Sequence, residues 1–188
     1  MTCNTKKNGR AKLMRKQFFI AVTIILGLCS GSAVAEQSNW IGADAMVWNY
    51  DPDNAPKASS TGARIRGGIE YTKHFGVETH LASGGDDTIT VNDVDVNVSF
   101  DLLWGVFLRG NYPLGNTNLY GLFGFSNLNM SIDSSEVSGA DRVTRISYGA
   151  GAEYLINKNW GINADYIVYL KSDTFDFHGG SLGVRYRF

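Results

Sequence analysis

From Trp40 to Phe188 apolar and polar residues alternate with a period of two, in runs separated by turn residues, and no run shows the 3.6-residue period of an amphipathic helix. The last run separates most cleanly. Leu182, Val184, Tyr186 and Phe188 share one face, and Ser181, Gly183, Arg185 and Arg187 share the other. An edge strand of a soluble sheet also alternates, so this run alone leaves two readings open. A closed barrel in a bilayer is the second, because it needs an apolar exterior, a polar interior and no free edge.

Seven earlier runs decide between them. The alternation predicts strands over about 40–50, 63–71, 75–82, 94–112, 119–132, 144–154 and 160–170, with the eighth ending at Phe188. In the first, Ile41, Ala43, Ala45 and Val47 oppose Gly42, Asp44 and Met46. In the fourth, Phe100, Leu102, Trp104 and Val106 oppose Asp101, Gly105, Phe107 and Arg109. Leu119 to Phe125 keeps one parity while Leu128, Met130 and Ile132 take the other, which predicts a bulge near Ser126 or Asn127. In the seventh, Leu170 falls with Trp160 and Tyr166, against Asn163, Asp165 and Tyr169. Connections alternate short and long: brief turns at 72–74, 113–116 and 157–159, and polar loops at 51–62, from Gly84, at 133–142 and at 171–179. That is the order of an up-and-down barrel. Trp40, Tyr71, Phe75, Tyr112, Tyr154, Trp160 and Phe188 gather at the short-turn ends, where an interfacial girdle of aromatic rings is expected.

The charges choose the inside. Within the strands Arg64, Arg66, Arg109, Arg145, Arg185 and Arg187 balance Asp44, Glu70, Glu78, Asp101, Glu153 and Asp165. An arginine facing lipid near the midplane costs about 2–4 kcal/mol. Three such arginines would cost about 6–12 kcal/mol, as much as the whole stability of a domain. The charged face is therefore expected to line the lumen as an ion-pair network, whereas a soluble barrel would carry its charges outside. The predicted fold is all-β: an eight-stranded antiparallel up-and-down transmembrane β-barrel with a filled polar interior. Eight strands enclose a space that side chains just fill, and inward Phe107, Tyr120 and Leu122 predict no wide channel.

The first 35 residues read as a signal peptide. Six basic residues precede the apolar run Phe18–Leu28, and Ala33-Val34-Ala35 offers cleavage after Ala35, leaving 36–188 as the barrel domain. Met14-Arg15-Lys16 before the same run is already a complete leader, so Met14 is a second candidate start. Eleven apolar residues are too few to span a bilayer as a helix, and Leu28 before Cys29 departs from a lipoprotein signal. Both cysteines, Cys3 and Cys29, lie in the leader, so no disulfide or thiol chemistry is expected in the mature chain. Losing six of 17 Lys and Arg leaves 11 against 18 acids, a net charge of −7, which excludes a nucleic-acid partner. No Cys/His cluster points to a metal, no glycine-rich phosphate loop precedes a helix, and no cofactor is expected.

Several segments resemble a known group. Gly67-Gly68-Ile69-Glu70-Tyr71 with Phe75-Gly76-Val77-Glu78, Leu108-Arg109-Gly110-Asn111-Tyr112-Pro113-Leu114, Leu119-Tyr120 with Gly124, Gly151-Ala152-Glu153-Tyr154 and Leu182 to Phe188 are similar to the small Gram-negative outer-membrane barrels of the OmpA transmembrane-domain and OmpX type. The resemblance covers 36–188. It implies location in the outer membrane, contact with its lipid and lipopolysaccharide, and a terminal Tyr186 and Phe188 read by the barrel-insertion machinery. OmpA-type domains pair a glutamate on the third strand with a lysine on the fourth or an arginine on the seventh. Here Glu78 matches the glutamate and Arg109 takes the lysine position, while Asn163 stands where the second cation would be and Asp165 matches a nearby acid. No peptidoglycan-binding module is expected after Phe188.

The leading functional expectation is a non-enzymatic protein acting through its outer loops, in envelope integrity or in adhesion to host or environmental surfaces. A narrow porin-like channel lined by the ion pairs is the alternative. A lipid A-modifying enzyme is a third, since some small outer-membrane barrels hydrolyse acyl chains with His and Ser facing lipid. His178 and Ser181 are the nearest such pair, and their parity puts them on opposite faces; His80 and Ser99 face inward and His74 lies in a turn. No catalytic residue is therefore assigned.

Overall fold

The computed structural model describes residues 38–53, 56–91, 94–134, 138–172 and 175–188. The leader and its cleavage site lie outside the described residues. The strands are β1 (Ser38–Pro52), β2 (Ala58–Glu70), β3 (Phe75–Gly84), β4 (Asp86–Val91), β5 (Val94–Leu114), β6 (Thr117–Ser134), β7 (Ser138–Leu155), β8 (Trp160–Lys171) and β9 (Phe175–Arg187). Each pairs antiparallel with its neighbours, in the order β3-β2-β1-β9-β8-β7-β6-β5. The seam closes twice: β1 runs along β9 from Trp40↔Arg187 to Pro52↔Phe175, and β3 pairs β5 from Phe75↔Gly110 to Ala82↔Leu103. Strand β4 follows β3 past Gly85 and pairs the upper part of β5, so the two act as one wall of an eight-stranded barrel.

Short turns lie at one end. Thr72 Oγ1 accepts from the backbone N–H of His74 and of Phe75, holding the β2–β3 turn. Between β5 and β6 the chain reverses through Gly115-Asn116, with Gly115 at φ 63°, a region that glycine enters without a steric cost.

The other end departs from the expected long loops. β2 begins at Ala58, β6 runs to Ser134, β7 begins at Ser138, β9 begins at Phe175, and β4 forms inside the predicted loop after Gly84. Paired backbone satisfies its own hydrogen bonds wherever it lies. Beyond the lipid there is no apolar face to generate alternation, so hairpins continue there without a periodic signal. β7 meets β8 only from Tyr148↔Val168 onward, whereas it stays paired with β6 up to Asp133↔Ser138. Residues 138–146 therefore project with β6 on one side only, roughly 30 Å along the strand at ~3.3 Å per residue.

The bulges are also displaced from expectation. β6 pairs β7 continuously through Ser126 and Asn127; the extra residues are Asp101 in β5, between Phe100 and Leu102, and Tyr169 in β8, between Val168 and Leu170. Each bulge swaps the faces beyond it. Phe100 and Leu170 turn inward and Asp101 becomes exposed, while Leu128 keeps the inward parity of Tyr120 and Leu122.

Candidate functional site

Polar and charged side chains are buried in the lumen, each brought there by strand parity. Arg64 meets Asp44 at 2.8 Å and Asp165 at 2.8 Å; Arg66 meets Asp44 at 2.9 Å, Glu78 at 3.0 Å and Asp165 at 3.2 Å. Arg109 lies 2.6 Å from Glu78 and 3.3 Å from Glu153. Arg185 binds Glu153 and reaches Glu70 at 2.5 Å, and Arg187 adds a 3.0 Å contact to Glu70. Five carboxylates and five guanidiniums thus form one unbroken chain, and every carboxylate touches at least two arginines. The Tyr120 hydroxyl of β6 donates to Asp165 at 2.9 Å, and its ring lies 3.6 Å from the Arg109 guanidinium. With Tyr120 included, every wall of the barrel contributes to this layer.

Ten of the twelve residues expected in the lumen network meet here. The other two do not. The β5 bulge turns Asp101 outward, and Arg145 lies above the last β7–β8 pair, exposed, donating to the Thr144 carbonyl at 3.0 Å. Glu78, matched to the OmpA-type glutamate, draws its second cation from Arg66 on β2, and the His80 ring nitrogen lies 2.8 Å away. Asn163, at the position of the other family cation, donates to Asp44 at 2.8 Å.

Trp40 corrects the girdle. It is 1% exposed and lies inside the barrel, with Arg185 4.0 Å and Arg66 and Arg109 5.5 Å from its ring. Three cations around one indole ring make the lumen its favourable place. Gly68 is what admits it, because a Cβ there would lie 2.6 Å from the indole. The sequence carried the signal, since Trp40 shares its parity with Asp44 and Met46.

Above the charged layer the interior is apolar, which the reading of charges alone missed. Trp48 stacks on Phe177 at 5.8 Å and meets Phe100 edge-on at 5.5 Å. Met46, Leu103, Phe107, Leu128, Ile167, Tyr169 and Leu170 pack around them. His80 marks the boundary, its ring 4.5 Å from Phe107. Salt below and aromatic rings above leave the lumen filled.

The outer wall is the reverse. Ile41, Ile65, Val106, Leu108, Phe123, Phe125, Ile146, Ile162, Leu182 and Val184 all face outward, exposed. Residues 21–188 match the family described as outer membrane protein beta-barrel domain. The chain belongs to that family. Solved structures agree in fold: Ail, the attachment invasion locus protein of Yersinia pestis (22% identity, TM-score 0.62, covering 81% of this chain and 99% of that one), and Neisserial surface protein A (18%, 0.59, 80% and 97%). OprG, an outer membrane protein of Pseudomonas aeruginosa, is similar at 14% identity and TM-score 0.60, covering 80% and 96%. A search of curated proteins gives no match.

As a member of the outer membrane protein beta-barrel domain family, the protein resides in the outer membrane and its apolar belt meets lipid. Tyr71, Phe75, Tyr112, Tyr154, Trp160 and Phe188 lie exposed beside the short turns, and Tyr186 packs against Trp160 at 4.9 Å. His178 faces outward, 2.7 Å from the Tyr166 hydroxyl and 3.5 Å from Asp51, while Ser181 binds Asp165 and Arg64 in the lumen. The pair is not assembled as nucleophile and base. Among the described residues no group of three or more His, Cys, Asp or Glu is placed to hold a metal ion.

Proposed function

We propose that the protein is a non-enzymatic outer-membrane barrel acting in envelope integrity or surface adhesion through its outer hairpins. One observation carries this reading: the lumen is filled by a charged layer and an aromatic layer, while β5, β6 and β7 continue beyond the barrel. A filled lumen offers no solute path, so specific work falls to the projecting sheet. Ail, whose name denotes attachment and invasion, has been solved with a heparin analogue, which supports a surface role for this architecture. The outer hairpins here carry Asp51, Asp53, Asp86, Asp87, Asp133 and Asp176, so their contact is expected to favour neutral or basic surfaces over a sulfated polyanion. Residues 1–35 direct export and are removed by cleavage after Ala35, and Tyr186 and Phe188 serve as the signal for the insertion machinery. The ion-pair chain has a structural role.

Shortening the four outer hairpins one at a time, in cells expressing the full chain, tests the proposal. Loss of surface attachment or of detergent resistance in at least one variant is expected. Unchanged attachment and resistance in all four would sink it.

A further inference from the structure

The lipid-facing wall is not smooth. At one level of the sheet the outward positions run Phe75↔Gly110↔Gly121↔Ala150, so two glycines and an alanine follow an aromatic across four strands. Tyr71, Phe75, Val77, Leu108 and Phe123 border an open, almost wholly apolar groove of about 490 Å³. That volume falls within the ~300–1,000 Å³ of sites that hold small ligands. A Cβ at Gly110 would meet nothing within 4 Å, so the depression is open space rather than a packing requirement.

The position of the groove identifies its occupant. Tyr71 and Phe75 flank a short turn, at the aromatic level of the periplasmic leaflet, and Lys73 lies exposed in the turn between them. The turn is fixed by Thr72 Oγ1 and by the Asn111 N–H, which donates to the His74 carbonyl at 2.7 Å. An apolar trench inside the hydrocarbon, with a cation at its headgroup-level mouth, is complementary to one molecule: an anionic phospholipid with a chain in the trench and its phosphate at Lys73. A second barrel would present a convex wall that cannot enter a depression of this size. We infer that this groove is a phospholipid-binding site of the periplasmic leaflet, independent of the role of the outer hairpins.

The test uses the full chain in phosphatidylethanolamine vesicles with phosphatidylglycerol spin-labelled on an acyl chain. Gly110→Leu and Gly121→Leu, checked for folding by heat-modifiable mobility, are expected each to remove one motionally restricted lipid per barrel. Lys73→Gln, in an exposed turn, is expected to lower the preference for the phosphatidylglycerol probe over a neutral one about fivefold. An unchanged restricted fraction in the folded glycine variants would overturn the proposal, and so would an unchanged preference in Lys73→Gln. Disulfide formation between copies through Leu108→Cys would overturn it as well, by giving the groove to a second copy.

Discussion

The lumen is filled in two ways, and the two fillings obey opposite rules. In the charged layer each guanidinium is held by named carboxylates on other strands, as Arg66 is by Asp44, Glu78 and Asp165. In the aromatic layer Trp48, Phe100 and Phe177 need only volume and ring geometry. Buried ion pairs gain little net stability when complete but are costly to break singly, because the remaining charge stays buried. Aromatic packing fails gradually, with the size of the gap left behind. The first filling therefore specifies which strands meet, and the second seals the space.

The sharpest way to break this contrast is to remove one charge. Arg66→Met is expected to destabilise the barrel by about 3–5 kcal/mol, although methionine fits the volume, as read by urea unfolding in vesicles. A loss under ~1 kcal/mol would mean that the layer adapts as freely as an apolar core. Next in size, Trp48→Ala is expected to cost about 3 kcal/mol, at the low end for such truncations because water from outside can enter the gap. The same variant is expected to leave planar-bilayer conductance silent, since the charged layer still closes the lumen; discrete channel steps would show that the aromatic layer alone is the seal. Smallest of the three is Arg187→Gln. Its guanidinium is 28% exposed at the rim, where a lost pair is worth under about 1 kcal/mol in unfolding experiments. A loss near that of Arg66→Met would extend the rigid regime to the rim.

How far the sequence discloses this depends on where each residue sits. Alternation reports only strands with lipid on one side, so the faces of β1, of lower β5 and of β9 were legible from Ile41, Val106 and Leu182 and their polar neighbours. Parity also placed most lumen charges, because an arginine on the wrong face is expensive. It failed at Phe100 and Asp101 in β5 and at Leu170 in β8, where one added residue swaps the faces and leaves no compositional mark. It failed again at Arg145, whose inward parity has meaning only where β8 still stands opposite. Trp40 was misplaced because a tryptophan near a turn suits an interface as well as a cluster of arginines. Its parity with Asp44 and Met46 points inward, but the room that the missing Cβ of Gly68 leaves for the indole is tertiary.

The chain of charges has a consequence for assembly. Glu70, early in the sequence, finds its cations on the final strand, and Arg64 on β2 depends on Asp165 on β8. An incomplete cylinder would hold raw, unmatched ions at its open flank, inside oil. Neutrality arrives only when β9 docks against β1, so the zipping of that seam and the discharge of the interior are a single event.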